Sequence, residues 1–169
     1  MPSMARDTVA AFAVELRRPD AGDRPRPDVW SVLEYGCHVR DVCRVFDQRL
    51  RLMLAQDDPF FPNWDQDATA LAQRYWTQNP AVVTAALSEA ADTIARTFKS
   101  VDVDQWSRPG RRSNGTVFTV HSLARYFLHD LVHHLHDVSA ATPHVPGESG
   151  WVVAFADPSP DSGSSQFVS

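Results

Sequence analysis

The stretch that decides the fold runs from residue 31 to residue 54, SVLEYGCHVRDVCRVFDQRLRLML. Ser31 is followed three residues later by Glu34, which is the spacing of a capping box at a helix N-terminus. Beyond this start, apolar residues recur at helical spacing, and they are Val32, Tyr35, Val39, Val42, Phe46, Leu50 and Met53. The stretch is therefore predicted to be an amphipathic helix that buries one face against a core.

Similar patterns predict further helices on both sides of this one, over residues 4–17, 66–77, 80–101 and 119–138. Asn79 before Pro80, and Thr119 at the start of the last helix, are typical N-terminal caps. The connecting segments, predicted as loops, are residues 18–29, 57–65 and 102–118. Because no pair of strands is recognisable, the predicted fold class is all-α, a four-helix bundle with a short extra helix.

The chain changes character near residue 140, where helical periodicity ends and Pro, Gly and Ser become frequent. We therefore predict one domain over residues 1–140 and an irregular C-terminal tail over residues 141–169. Within the tail, the apolar run WVVAF at residues 151–155 is a candidate to pack on the bundle as a strand-like segment. The last ten residues are expected to be loose.

The composition excludes several functional classes. A formal charge of −5 argues against a nucleic-acid binder, which needs a basic surface. No stretch reaches the roughly 20 apolar residues of a membrane span, and the N-terminal apolar run is broken by Glu15, so no signal peptide is expected. Cys37 and Cys43 lie six positions apart on one predicted helix and cannot easily pair, which indicates free thiols and a cytoplasmic location.

Histidines near the end of the last predicted helix indicate a metal site. His129 and His133 lie four residues apart on one helical face, a common bidentate unit for zinc and similar metals. His38, on the core-facing part of the helix over residues 31–54, is the candidate third ligand from a second helix. We predict one divalent ion bound by these three histidines, with no catalytic residue beyond them. Three protein ligands leave coordination positions open, as in catalytic sites.

The two segments that carry these histidines resemble a known family. Residues 30–41, WSVLEYGCHVRD, look like the W-[ST]-x-x-[EQ]-x-x-x-H-x-x-[DE] signature of the DinB/YfiT-like metalloproteins. Residues 126–134, YFLHDLVHH, look like the closing H-x-x-x-H helix of that family. The resemblance covers residues 30–138 and implies a bundle of the DinB-like type with metal ligands at His38, His129 and His133.

The same superfamily contains the metal-binding domain of mycothiol-dependent maleylpyruvate isomerase and the mycothiol or bacillithiol S-transferases. The resemblance therefore implies a metal-dependent thiol transferase or isomerase-like enzyme. Its co-substrate would be mycothiol and its second substrate an electrophile, with zinc as the first metal and nickel or iron as alternatives. A homodimer is compatible with the resemblance. Two alternatives stay open: a non-catalytic metal-binding bundle that acts through a partner, and a metal-dependent hydrolase.

Several other polar residues have two interpretations each. Asp41 is predicted either to orient a metal ligand or to face solvent, since it lies three residues after His38. Asp130 and His134 lie four residues apart on a different face from His129, which predicts a surface pair. His136 is either a spare ligand or a polar residue favoured near a helix C-terminus.

The remaining candidates are predicted to be structural. Cys37 points away from His38 on the helix, and we predict that it packs in the core. Residues 110–115, GRRSNG, are predicted to be a solvated turn, with a loop that binds an anionic substrate group as the alternative. Trp30, Trp64 and Trp106 are expected to anchor loops to the core, with a pocket lining as the alternative.

Overall fold

The computed structural model describes the backbone of residues 2–140, and the side chains of residues 4–139 within that range. Five α-helices are α1 (Pro2–Glu15), α2 (Val32–Ala55), α3 (Gln66–Ala72), α4 (Pro80–Lys99) and α5 (Val120–Ala140). They confirm the predicted all-α bundle with one short extra helix. The predicted tail at residues 141–169, with its apolar run at residues 151–155, lies outside the described residues.

The four long helices enclose one core. Helix α2 packs against α4 and α5, and α1 packs against the same two helices, so each long helix has two neighbours around the core. Fully buried side chains from all four helices fill this space, and they include Phe12, Leu50, Met53, Leu87, Ile94, Leu123 and Leu131. None of the helices among the described residues is both long and apolar enough to cross a membrane.

The predicted helix starts are confirmed by their hydrogen bonds. Ser31 Oγ accepts a hydrogen bond from the Glu34 amide at 3.2 Å, and Glu34 accepts one in return from the Ser31 amide at 2.9 Å. At the start of α4, Asn79 accepts from the Ala81 amide at 2.9 Å. Glu34 also accepts two hydrogen bonds from Arg24, which fasten the connector before α2 to the first turn of that helix.

A small sheet stands where the sequence predicted loops. Its strands are β1 (Phe60–Phe61), β2 (Pro109–Arg112) and β3 (Val117–Thr119), in the order β1-β2-β3, with β1 parallel and β3 antiparallel to β2. Strands of two to four residues are too short to display a period of two, so the sequence pattern could not predict them.

Gly110 in β2 lets the sheet lie directly on α2. A Cβ atom added there would come within 2.7 Å of Met53 Cγ and 2.9 Å of Phe61 Cε1. Glycine at this position therefore permits a close approach that a larger residue would block. The predicted helix over residues 66–77 is also shorter than expected, because Arg74 adopts a left-handed backbone with φ of 48° and the chain continues as a 3₁₀ turn at Tyr75–Thr77.

Candidate metal centre

His38 lies inside the bundle on α2 and is only 1% exposed. The Trp64 ring stacks on its imidazole at a centroid distance of 5.4 Å and an interplanar angle of 4°, and Trp30 lies at 5.3 Å. Burial, together with a smaller effect of His134, lowers the pKa of His38 to about 3. The ring is therefore neutral at neutral pH and has a nitrogen lone pair available for a metal.

Helix α5 brings two further donor groups to His38. The Nε2 atoms of His38 and His134 are 3.0 Å apart, and His134 Nε2 lies 3.7 Å from Asp130 Oδ1. The potential ligand atoms of the three residues all lie within 4.8 Å of one another. No other group of three or more His, Cys, Asp or Glu side chains converges in this way among residues 4–139.

A second carboxylate orients His134. Asp137 Oδ2 lies 3.2 Å from His134 Nδ1, on the opposite side of the ring from His38. When Nδ1 donates its proton to this carboxylate, the lone pair of Nε2 faces His38. Metal-binding histidines are commonly held in this way by a carboxylate on the outer nitrogen.

His129 and His133 are placed differently from the sequence prediction. Both side chains are exposed, their rings are 6.1 Å apart, and His133 Nε2 lies 3.8 Å from Asp137. The structure brings neither of them to His38, and it brings Asp130 and His134 there instead. The predicted pair and the observed pair have the same four-residue spacing and differ by one position along α5.

The apolar stripe of α5 explains which pair faces inwards. Phe127 and Leu131 are buried, and residues 130 and 134 follow them by three positions, on the adjacent side of the buried face. His129 and His133 follow the same two residues by two positions, which turns them about 200° away. This stripe is the sequence signal that could have identified Asp130 and His134, which were predicted to be a surface pair.

Asp41 takes neither of its predicted roles. It is 5% exposed and accepts two hydrogen bonds from Arg40 at 2.9 Å, one from Arg44 at 3.1 Å and one from Tyr75 Oη at 2.7 Å. It does not bond to His38, whose Nδ1 is buried and has no hydrogen-bond partner within the described part of the chain. Burial would raise the pKa of Asp41, but the hydrogen bonds from Arg40 and Tyr75 outweigh it and the pKa is lowered.

The other predicted candidates lie as follows. Cys37 is completely buried, which confirms its prediction as a core residue, and His136 is exposed outside the cluster. Trp30 packs on His38 as described, whereas Trp106 packs on Phe98 at 6.4 Å, at a different part of the core. Tyr35 was not predicted as a site residue, and its ring lies 5.6 Å from that of His134.

The three converging residues fit a divalent ion. Two imidazole nitrogens and a carboxylate oxygen are a donor set that suits zinc, iron, nickel and related metals. Metal–nitrogen bonds of about 2.1 Å place two ligands about 3.0 Å apart at an octahedral angle and about 3.4 Å apart at a tetrahedral angle. The 3.0 Å between the two Nε2 atoms fits the first directly and the second after a shift of about 0.4 Å. Burial raises the pKa of Asp130, and a nearby cation would favour its ionised form instead.

Known proteins share this fold. YfiT from Bacillus subtilis matches with a TM-score of 0.74 and 20% identity over 83% of each chain. It is described as a probable metal-dependent hydrolase with an unusual four-helix bundle topology. The mycothiol-dependent maleylpyruvate isomerase matches with a TM-score of 0.64 and 12% identity, over 81% of this chain and 58% of the isomerase. No curated protein sequence matches this chain.

A family model supplies the evidence for membership. The DinB superfamily model matches residues 3–138, which contain all five helices except the ends of α1 and α5. The match agrees with the two sequence motifs and with the bundle seen in the structure. The chain therefore belongs to the DinB superfamily.

Proposed function

We propose that this protein is a divalent-metal-dependent enzyme that activates a low-molecular-weight thiol of the mycothiol type, with His38, Asp130 and His134 as the metal ligands. The observation that carries the proposal is the convergence of two imidazoles and a carboxylate from α2 and α5 within 4.8 Å. Zinc is the first candidate metal, because two histidines and a carboxylate are a common ligand set of catalytic zinc.

The surroundings of the cluster support a catalytic rather than a purely structural site. Three protein ligands leave at least one coordination position for a substrate, whereas structural zinc is usually closed by four. No fourth ligand converges on the cluster in the described part of the chain. Trp64 and Trp30 restrain the ring of His38, and Asp137 restrains that of His134, so both ligands are held before a metal or substrate arrives.

A bound divalent ion would supply a positive charge that lowers the pKa of a coordinated thiol below its free value of about 8.5. A thiol coordinated to such an ion loses its proton without a separate general base, whereas the activation of water commonly uses one. The two carboxylates at the cluster are already engaged, Asp130 as a proposed ligand and Asp137 with His134. Asp41 is bound to Arg40 and Tyr75. This distribution agrees with a thiol as the nucleophile.

A metal-dependent hydrolase is the second candidate, and the likeness to YfiT is the observation that favours it. The thiol reaction is supported by the likeness to an isomerase named for its dependence on mycothiol, of which this chain spans 58%. A thiol co-substrate and the two free cysteines, Cys37 and Cys43, agree with a reducing compartment such as the cytoplasm.

Metal content tests the ligand assignment. We expect the metal affinity of His134→Ala to be at least about tenfold below that of wild type. The variant should therefore retain less metal after purification and dialysis, as measured by elemental analysis. His133→Ala is the matched control, because it removes the neighbouring histidine, whose side chain is exposed. Equal metal content in the two variants, or loss only in His133→Ala, would contradict the assignment.

Activity tests the reaction class separately. Metal-loaded wild type is incubated with mycothiol and a panel of electrophiles, and thioether formation is followed by mass spectrometry. We expect a rate that falls to background in His134→Ala and is kept in His133→Ala. Metal binding without any thiol transfer, together with hydrolysis of ester or amide substrates, would favour the second candidate instead.

A further inference from the structure

Two arginines near the small sheet have no carboxylate partner among residues 4–139. Arg49 on α2 is 5% exposed, and Arg112 at the end of β2 pairs with Phe61 across the sheet. Neither lies within ion-pair distance of an acidic side chain in the part of the chain that the structure describes. The contrast with Arg40 is informative, because Arg40 is equally buried on the same helix and is neutralised by Asp41.

Aromatic rings account for part of the stability of this arrangement. The guanidinium of Arg49 lies 5.6 Å from the Phe46 ring and 5.1 Å from the Phe61 ring. The guanidinium of Arg112 lies 5.2 Å from the Phe118 ring and 5.8 Å from the Tyr126 ring. Cation–π contacts use the face of each guanidinium and leave the N–H groups at its edge unsatisfied.

Few hydrogen bonds join these two side chains to the part of the protein that the structure describes. Arg49 Nη2 donates to the Pro62 carbonyl at 3.3 Å, and Arg112 Nε is buried without a hydrogen-bond partner among residues 4–139. Burial and then the charge of Arg112 lower the pKa of Arg49 to about 10. A buried cation such as Arg49 is costly unless an opposite charge compensates it.

We propose that Arg49 and Arg112 form a binding site for the phosphate or carboxylate group of a small-molecule ligand. The planar edge of a guanidinium matches these oxyanions with two parallel hydrogen bonds. The site opens to solvent at Arg112, which is half-buried, and at Tyr126, which is 44% exposed. In this proposal, Arg112 gives the loop over residues 110–115 a role in anion binding, whereas the sequence predicted a solvated turn.

The site is separate from the metal centre. Arg49 follows His38 by eleven residues on α2, which is about three helical turns and about 16 Å along the axis. Anion binding here needs no metal, so the inference stands or falls independently of the proposed enzymatic reaction.

Calorimetric titration of the full chain with inorganic phosphate, and in a second series with succinate, tests the inference. We expect one of the two anions to bind the wild type, and Arg112→Gln to weaken that binding by at least about tenfold through the loss of a charged hydrogen-bond donor pair. Arg111→Gln is the matched control, because it removes the same charge at the neighbouring position. Arg111 is exposed and pairs with Asp58. We expect its affinity to stay within about twofold of wild type.

The conservative variant Arg112→Lys provides a further test. It keeps the charge, and we expect it to bind the anion less tightly than wild type because its ammonium cannot form the paired hydrogen bonds. Equal weakening in Arg111→Gln and Arg112→Gln would show a general charge effect and overturn the site. Absence of binding of both anions at concentrations up to about 10 mM would also overturn it.

Discussion

The Asp41 network offers the sharpest test of how the bundle is held together beside the candidate metal centre. Asp41 accepts four hydrogen bonds, and its main partner Arg40 is only 5% exposed. Asp41→Asn removes the negative charge and leaves Arg40 buried with neutral acceptors only, among them the side chains of Gln73 and Gln78 at 3.0 and 2.7 Å. Removing one partner of a buried ion pair costs about 3–5 kcal/mol.

Because those two acceptors remain, we expect a loss near the lower end, about 3 kcal/mol in the free energy of unfolding. For a chain of this length, the loss corresponds to a fall of about 6–12 °C in Tm. Urea unfolding followed by circular dichroism at pH 7 measures the difference directly. Arg44→Gln is the control: its side chain is 50% exposed and gives Asp41 one hydrogen bond, so we expect a loss of about 0.5 kcal/mol.

The same network has a defined pH dependence. Since the pKa of Asp41 is lowered in the folded state, its contribution is complete above the unfolded pKa of about 3.9 and is lost as the pH falls. The stability gap between wild type and Asp41→Asn should therefore narrow at acidic pH. A gap below about 1 kcal/mol at pH 7, or one equal to that of Arg44→Gln, would refute the reasoning.

Two other predictions concern the packing around α2. Gly110→Ala should lower the free energy of unfolding by about 1–3 kcal/mol, because the added Cβ would overlap Met53 and Phe61. Urea titration measures this loss, and unchanged stability would show that the sheet can move away from α2. Burial raises the pKa of both Cys37 and Cys43 to about 12. Iodoacetamide at pH 8 should therefore label neither thiol in the folded chain and both thiols in urea. Rapid labelling of the folded chain would contradict this burial.

Local sequence signals predicted the helices well because they depend on neighbouring residues. The capping box of Ser31 and Glu34 and the apolar stripe after it are complete within α2 itself. The small sheet could not be predicted in this way, since β1 and β2 are far apart in the sequence and very short. The same holds for Asp41, because its partner Tyr75 lies on a turn that reaches α2 only in the folded chain.

The sequence by itself determined that His38 lies on a core-facing helix position and that α5 carries potential metal ligands four residues apart. That spacing occurs twice, at residues 129 and 133 and again at residues 130 and 134. Each residue step turns a helix by about 100°, so the two pairs face different directions. Only the packing of Phe127 and Leu131 into the core decided that Asp130 and His134 face His38.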